Sequence, residues 1–124
     1  MASIRFFDSN CMIGLRSCPN PETPRRLEQF LDDYAFYGIE GGLVYHAQSC
    51  EYYQDFGNRL LLDEIAGQPR LAPQWVVMPH HTGEMAPPDD LLAEMLERNV
   101  RAARFYPPPH GFGASLHYPL TLPT

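Results

Sequence analysis

Leu71-Ala72-Pro73-Gln74-Trp75-Val76-Val77-Met78 is an apolar run that ends abruptly at Pro79-His80-His81. Pro73 lies near its start, where a strand tolerates a missing donor, and the run is bounded by turn residues, so residues 71–78 read as a β-strand. The same form, an apolar run with a polar end, occurs three more times. Ile4-Arg5-Phe6-Phe7 enters Asp8-Ser9-Asn10, Gly42-Leu43-Val44-Tyr45 ends in His46, and Val100-Arg101-Ala102-Ala103-Arg104-Phe105 ends at Tyr106-Pro107. Strands are therefore expected over about 3–8, 42–46, 71–78 and 100–105.

Helical patterns fill the intervals. Thr23 can cap a helix with Pro24 at its first position, after which Leu27, Phe30, Leu31, Tyr34 and Ala35 recur at helical spacing and Gly38 closes it. Asp55 can cap a second, with Phe56, Leu60, Leu61 and Ile65 as its apolar stripe, Gly67 as its stop and Pro69 just beyond; Gly57 in its first turn weakens it. Pro87 and Pro88 lead into Asp89 and a third stripe, Leu91, Leu92, Met95 and Leu96, ending near Asn99. Four strands alternating with three helices predict a parallel α/β sheet in the order 1-2-3-4, because right-handed crossovers between neighbours give that order. Ligand sites in such folds gather at the carboxyl ends of the strands.

The chain has 124 residues and a net charge of −6, from 9 Lys+Arg against 15 Asp+Glu. That length suits one domain and is about half of the roughly 250 residues of a closed eight-stranded barrel. No basic stripe is present to neutralise a phosphate backbone, so nucleic acid is not an expected partner. Arg5 and Asp8 interrupt any signal-peptide apolar region and no run approaches membrane-spanning length, so a cytoplasmic protein with no membrane partner is expected. Three cysteines without a CxxC pair, Cys11, Cys18 and Cys50, read as reduced thiols rather than a disulfide framework. Five prolines from Pro107 to Pro123 exclude a helix of useful length, and residues 113–124 are expected to be an irregular tail.

Taken together and in order, Phe7-Asp8-Ser9-Asn10-Cys11-Met12-Ile13-Gly14, Gly57-Asn58-Arg59 opening a helix, Pro69-Arg70-Leu71 before a strand ending Trp75-Val76-Val77-Met78-Pro79, and Val100-Arg101-Ala102-Ala103-Arg104-Phe105-Tyr106-Pro107 resemble the amidohydrolase superfamily, in its branch of metal-dependent hydrolases with the TIM-barrel fold. The likeness covers about residues 4 to 112. It implies a half TIM barrel over residues 1–112, the amino-terminal part of a hydrolase acting on a small organic substrate, and a divalent metal such as zinc as the family's cofactor. Members begin Asp-x-His-x-His at the end of the first strand, where the period of two aims both imidazoles at one metal. Here Asp8 matches the aspartate, but Asn10 and Met12 hold the histidine positions. A neutral amide oxygen and a soft thioether are poor zinc ligands, so metal binding is expected to be weak or absent.

The candidate substrate-binding residues are His46, His80, Arg104 and Tyr106. His46, His80 and His81 fall at strand ends; the last two are adjacent, so in extended backbone they point to opposite faces and cannot share a metal. Arg104 and Tyr106 share a parity, so the arginine can hold a substrate carboxylate with the tyrosine beside it, or can pair instead with a neighbouring carboxylate of the chain. Cys11 is a nucleophile only if a base lies beside it, and otherwise a small buried side chain; no catalytic residue can be named. His110 and His117 lie in the proline-rich segment and read as solvated. Two functions are compatible with this pattern: an amidohydrolase-like segment whose parent acts on a small carboxylate-bearing substrate, or a non-catalytic, metal-free binding or interaction module completed by self-association. Both expect a homo-oligomer, since the first and fourth strands leave open edges.

Overall fold

The computed structural model describes residues 3–106, and every structural statement below concerns those residues. The expected irregularity of residues 113–124, and His110 and His117, lie outside them. The elements are β1 (Phe6–Ile13), α1 (Leu27–Tyr37), β2 (Ile39–His46), α2 (Ala47–Glu51), α3 (Gln54–Glu64), β3 (Leu71–Val76), a 3-10 turn (His80–Thr82), α4 (Pro88–Glu97) and β4 (Ala102–Arg104). The strands form one sheet in the order β1-β2-β3-β4, every pair parallel.

Residues of one parity on each strand join the helices in a single core. Cys11, Ile13, Val44, Leu71 and Trp75 pack with Phe30 and Tyr34 of α1, Leu61 of α3 and Met95 of α4. The other parity carries Met12, Leu43, Tyr45, Gln74 and Arg104. The register keeps like with like: Cys11 lies opposite Val44 and Met12 opposite Tyr45. The alternating side-chain direction of a strand thus divides the sheet into a helix face and an outer face.

Several local expectations are corrected. β1 runs to Ile13 rather than stopping at residue 8, because Cys11 and Ile13 are buried and pair with Val44 and His46; burial and a partner strand outweigh the polar stretch Asp8-Ser9-Asn10. The register shifts between Asp8 and Cys11, where the Asn10 N–H turns to donate to Asp8 Oδ1 at 3.0 Å. Helix α1 starts at Leu27, not at Pro24. The Thr23 N–H donates to the Asn20 carbonyl at 3.0 Å in a turn, and Gln29 Oε1 accepts from the N–H groups of Arg25 and Arg26 at 3.1 and 3.2 Å, satisfying donors at the true start. Gly38 ends this helix as expected, in the left-handed conformation with φ of 68°.

The second expected helix is α3, and a short helix that the pattern did not announce, α2, precedes it, so four α-helices rather than three occur among the described residues. Short α2 follows β2 directly, and α3 begins at Gln54 with Tyr53 at its cap. Asp55 lies in its first turn and pairs with Arg59 at 2.9 Å instead of capping. The inward face of α3 is Gln54, Gly57, Asn58 and Leu61, while Phe56 is 50% exposed. Gly57 explains the rotation: a Cβ there would collide with the Ser49 backbone of α2, so the helices approach closely only at a glycine.

Asn58 completes β3. Pairing of β3 with β2 extends only from Leu71 to Pro73, leaving the Val76 backbone without a β2 partner. The Asn58 amide fills that place, donating from Nδ2 to the Val76 carbonyl at 2.8 Å and accepting the Val76 N–H on Oδ1 at 2.9 Å. On the far side the ladder continues, with the Val77 N–H donating to the Arg104 carbonyl at 2.9 Å. Asn58→Ala leaves two buried backbone groups unsatisfied and is expected to cost about 2 kcal/mol or more. Urea denaturation with an unchanged m-value checks it, and a loss near zero would contradict this role.

Candidate functional site

The carboxyl end of the outer face centres on Arg104. Its Nε donates to Gln74 Oε1 of β3 at 3.0 Å, and its Nη2 donates to Asn10 Oδ1 of β1 in a short hydrogen bond. The guanidinium carbon lies 4.1 Å from the centroid of the Tyr45 ring on β2 and 5.7 Å from that of Tyr106. All four strands therefore contribute to holding one cation. β1 and β4 are separated by two strands, about 14 Å on a flat sheet, and side chains standing perpendicular to it would not meet across that span. Arg104 instead lies across this face, over Tyr45, to reach Asn10 on the far edge.

Among the described residues Arg104 makes no ion pair, so no carboxylate side chain of theirs neutralises it. Its acceptors are the neutral amides of Asn10 and Gln74 together with the neutral Tyr106 phenol, and Tyr45 is a neutral aromatic, so its charge is oriented without a countercharge among the described residues. A guanidinium in this state suits a planar anion. Tyr106 lies beside it. Burial, then the hydrogen bond from the Cys50 thiol at 2.8 Å, push its phenol well above the usual tyrosine range, so it remains a neutral donor and acceptor. Burial likewise raises Cys50, with Arg104 opposing.

Helix α2 secures the rim. Gln48 Nε2 donates to the Leu15 carbonyl at 2.9 Å, and Glu51 accepts from the Ser17 N–H at 2.6 Å and Arg16 Nε at 3.2 Å, tying the segment after β1 to α2. The Ser17 amide is the main cause of a lowered Glu51 carboxyl pKa, which keeps this tether charged.

The other candidates lie elsewhere. His46 is 2% exposed on the helix face of β2. Its Nδ1 accepts the Gln48 N–H at 3.1 Å, capping α2, which leaves the ring proton on Nε2 to face Glu64 Oε1 at 3.3 Å. His80 and His81 are exposed in the 3-10 turn rather than in extended backbone, and His80 lines a separate hollow with Asp55, Arg59 and Glu94. Arg104 and Tyr106 are thus brought together, whereas His46 and His80 are not. Tyr45 and Gln74 escaped sequence reading, although Gln74, 8% exposed, was the one polar residue in the run 71–78 and pointed to a partner on that face.

Cys11 faces the core, sharing a hydrogen bond of 2.6 Å with the Tyr34 hydroxyl. Burial, then the neighbouring Asp8, push its thiol up to about 12, the reverse of what an activated nucleophile needs. The side chains of Asn10 and Met12 do not fit zinc. Asn10 Oδ1 is taken by a guanidinium, Met12 offers a thioether, and no group of three or more His, Cys, Asp or Glu able to hold a metal occurs among the described residues.

No family model matches the chain, and no curated protein or solved structure matches it. No helix among the described residues is long and apolar enough to cross a membrane.

The Cys11–Tyr34 pair predicts a pH dependence. Burial raises both groups above their ordinary values, so the folded state holds their protons more tightly than the unfolded chain. Their contribution to stability is fully present below about pH 9 and is lost as pH rises toward about 12. Unfolding free energy measured across this range is expected to fall, with a shallower slope for Cys11→Ala; equal slopes would contradict the assignment.

Proposed function

We propose that this chain is an amidohydrolase-like half TIM barrel whose outer sheet face binds a small organic carboxylate at Arg104, with Tyr106 beside it, as the substrate site of a hydrolase-family protein. The observation that carries the reading is an oriented guanidinium at the strands' carboxyl ends with no countercharge among the described residues. The parallel order β1-β2-β3-β4 is what a barrel segment requires. Binding is the part of such an activity that these residues support, since no set of zinc ligands accompanies it.

Benzoate, with benzamide as its uncharged counterpart, tests this by calorimetry. Benzoate is expected to bind and benzamide to bind far more weakly. Arg104→Met should lower benzoate affinity at least about tenfold, the worth of a charge-assisted hydrogen bond, with the circular dichroism unchanged. Benzoate affinity weaker than about 10 mM, a binding free energy under about 3 kcal/mol, or equal binding to the variant, overturns the proposal.

A metal-free module completed by self-association is favoured by a different observation. β1 and β4 are both sheet edges, and Phe6 and Phe7 of β1 are exposed. Two copies that place each β1 beside the other's β4 would pair those edges and cover the phenylalanines. Sedimentation at micromolar concentration is expected to give a dimer; a monomer with cooperative unfolding would exclude this closure.

A further inference from the structure

We propose that Asn10 and Gln74 are positioning residues that hold the Arg104 guanidinium in place without cancelling its charge, so that carboxylate capture on this face is independent of metal. The inference rests on the carboxylate site proposed above and specifies how that site is built.

The Asn10 side chain on β1 meets a cation that the chain itself supplies from β4. Asn fits this use. Its amide oxygen accepts from a guanidinium N–H without cancelling the charge, whereas an aspartate would neutralise it. Gln74 does the same from β3: a largely buried amide oxygen on Nε at 3.0 Å. Nε and Nη2 share one edge of the guanidinium plane, so two neutral oxygens from β1 and β3 occupy that edge together. Tyr45 packs against the plane at 4.1 Å. Two of the five guanidinium N–H groups are used by these amides and Tyr106 also hydrogen-bonds the guanidinium; those that remain, on Nη1 and Nη2, suit a planar carboxylate. The cation is covalently part of the chain, so no metal is needed for the positive charge at this end of the sheet.

The charge on the positioning residues separates this from a structural role. Asn10→Asp has the same shape as the native side chain and places a carboxylate against Arg104; benzoate affinity is expected to fall at least about tenfold. Asn10→Ala removes the acceptor but leaves the cation uncompensated, and is expected to cost only about threefold. Gln74→Glu places the charge on the second acceptor and is expected to repeat the Asn10→Asp result, which keeps the test decidable if one variant fails to fold. Dialysis against EDTA is expected to leave benzoate affinity unchanged. The inference is overturned if folded Asn10→Asp and Gln74→Glu bind benzoate as tightly as the native chain, if Asn10→Ala loses as much as Asn10→Asp, or if EDTA abolishes binding and zinc restores it. If Arg104→Met binds benzoate like the native chain, the carboxylate site itself falls; if Arg104→Met fails to bind while both charge variants bind normally, only the positioning role of Asn10 and Gln74 falls.

Discussion

The Asn58 side chain stands in for a missing strand. β2 turns away into α2, so the backbone of Val76 near the end of β3 faces a gap that water or an unsatisfied pair would otherwise fill. One buried amide, donating to the carbonyl and accepting from the N–H, closes that gap and extends the hydrogen-bonded length of β3. The consequence reaches β4, because Val76 is opposite Arg104 in the register. Without a fixed β3 end, the guanidinium would have no fixed base. Gly57 and Asn58 are adjacent for this reason: the first lets α3 approach α2, and the second uses the position so gained.

The sequence made the alternation of strands and helices, their sequential order and the Gly38 stop legible, because each depends on local hydrophobic period or backbone conformation. What it concealed depends on contacts between distant residues. Thr23 and Pro24 look like a helix start, but Gln29 reaches back one turn to the backbone N–H groups of Arg25 and Arg26, so the helix begins later. Phe56 looks like a core residue, yet the buried face of α3 is set by a glycine and an asparagine, which a hydrophobicity count passes over. Helix α2 has only five residues and too short a pattern to register.

The candidate site was half visible for the same reason. Arg104 and Tyr106 share a parity and lie at a strand end, so their association could be read directly. Tyr45 and Gln74 were hidden because their relevance requires the register between strands, which no single segment reveals. His46 shows the opposite case: a histidine at a strand end whose ring is turned to the helices by one step of parity, where it serves α2 and faces α3 rather than the outer face.

The contact of Asn10 with Arg104 joins residues 94 positions apart. It cannot exist until all four strands have assembled, since the two side chains approach from opposite edges. The cationic centre is therefore among the last features the chain can acquire, after the long-range closure whose entropy must be met first. Any anion that seats there recognises only the assembled sheet, so occupancy draws the whole equilibrium toward the folded chain and couples the two edges energetically. A site spread across a sheet in this way also acts as a clasp.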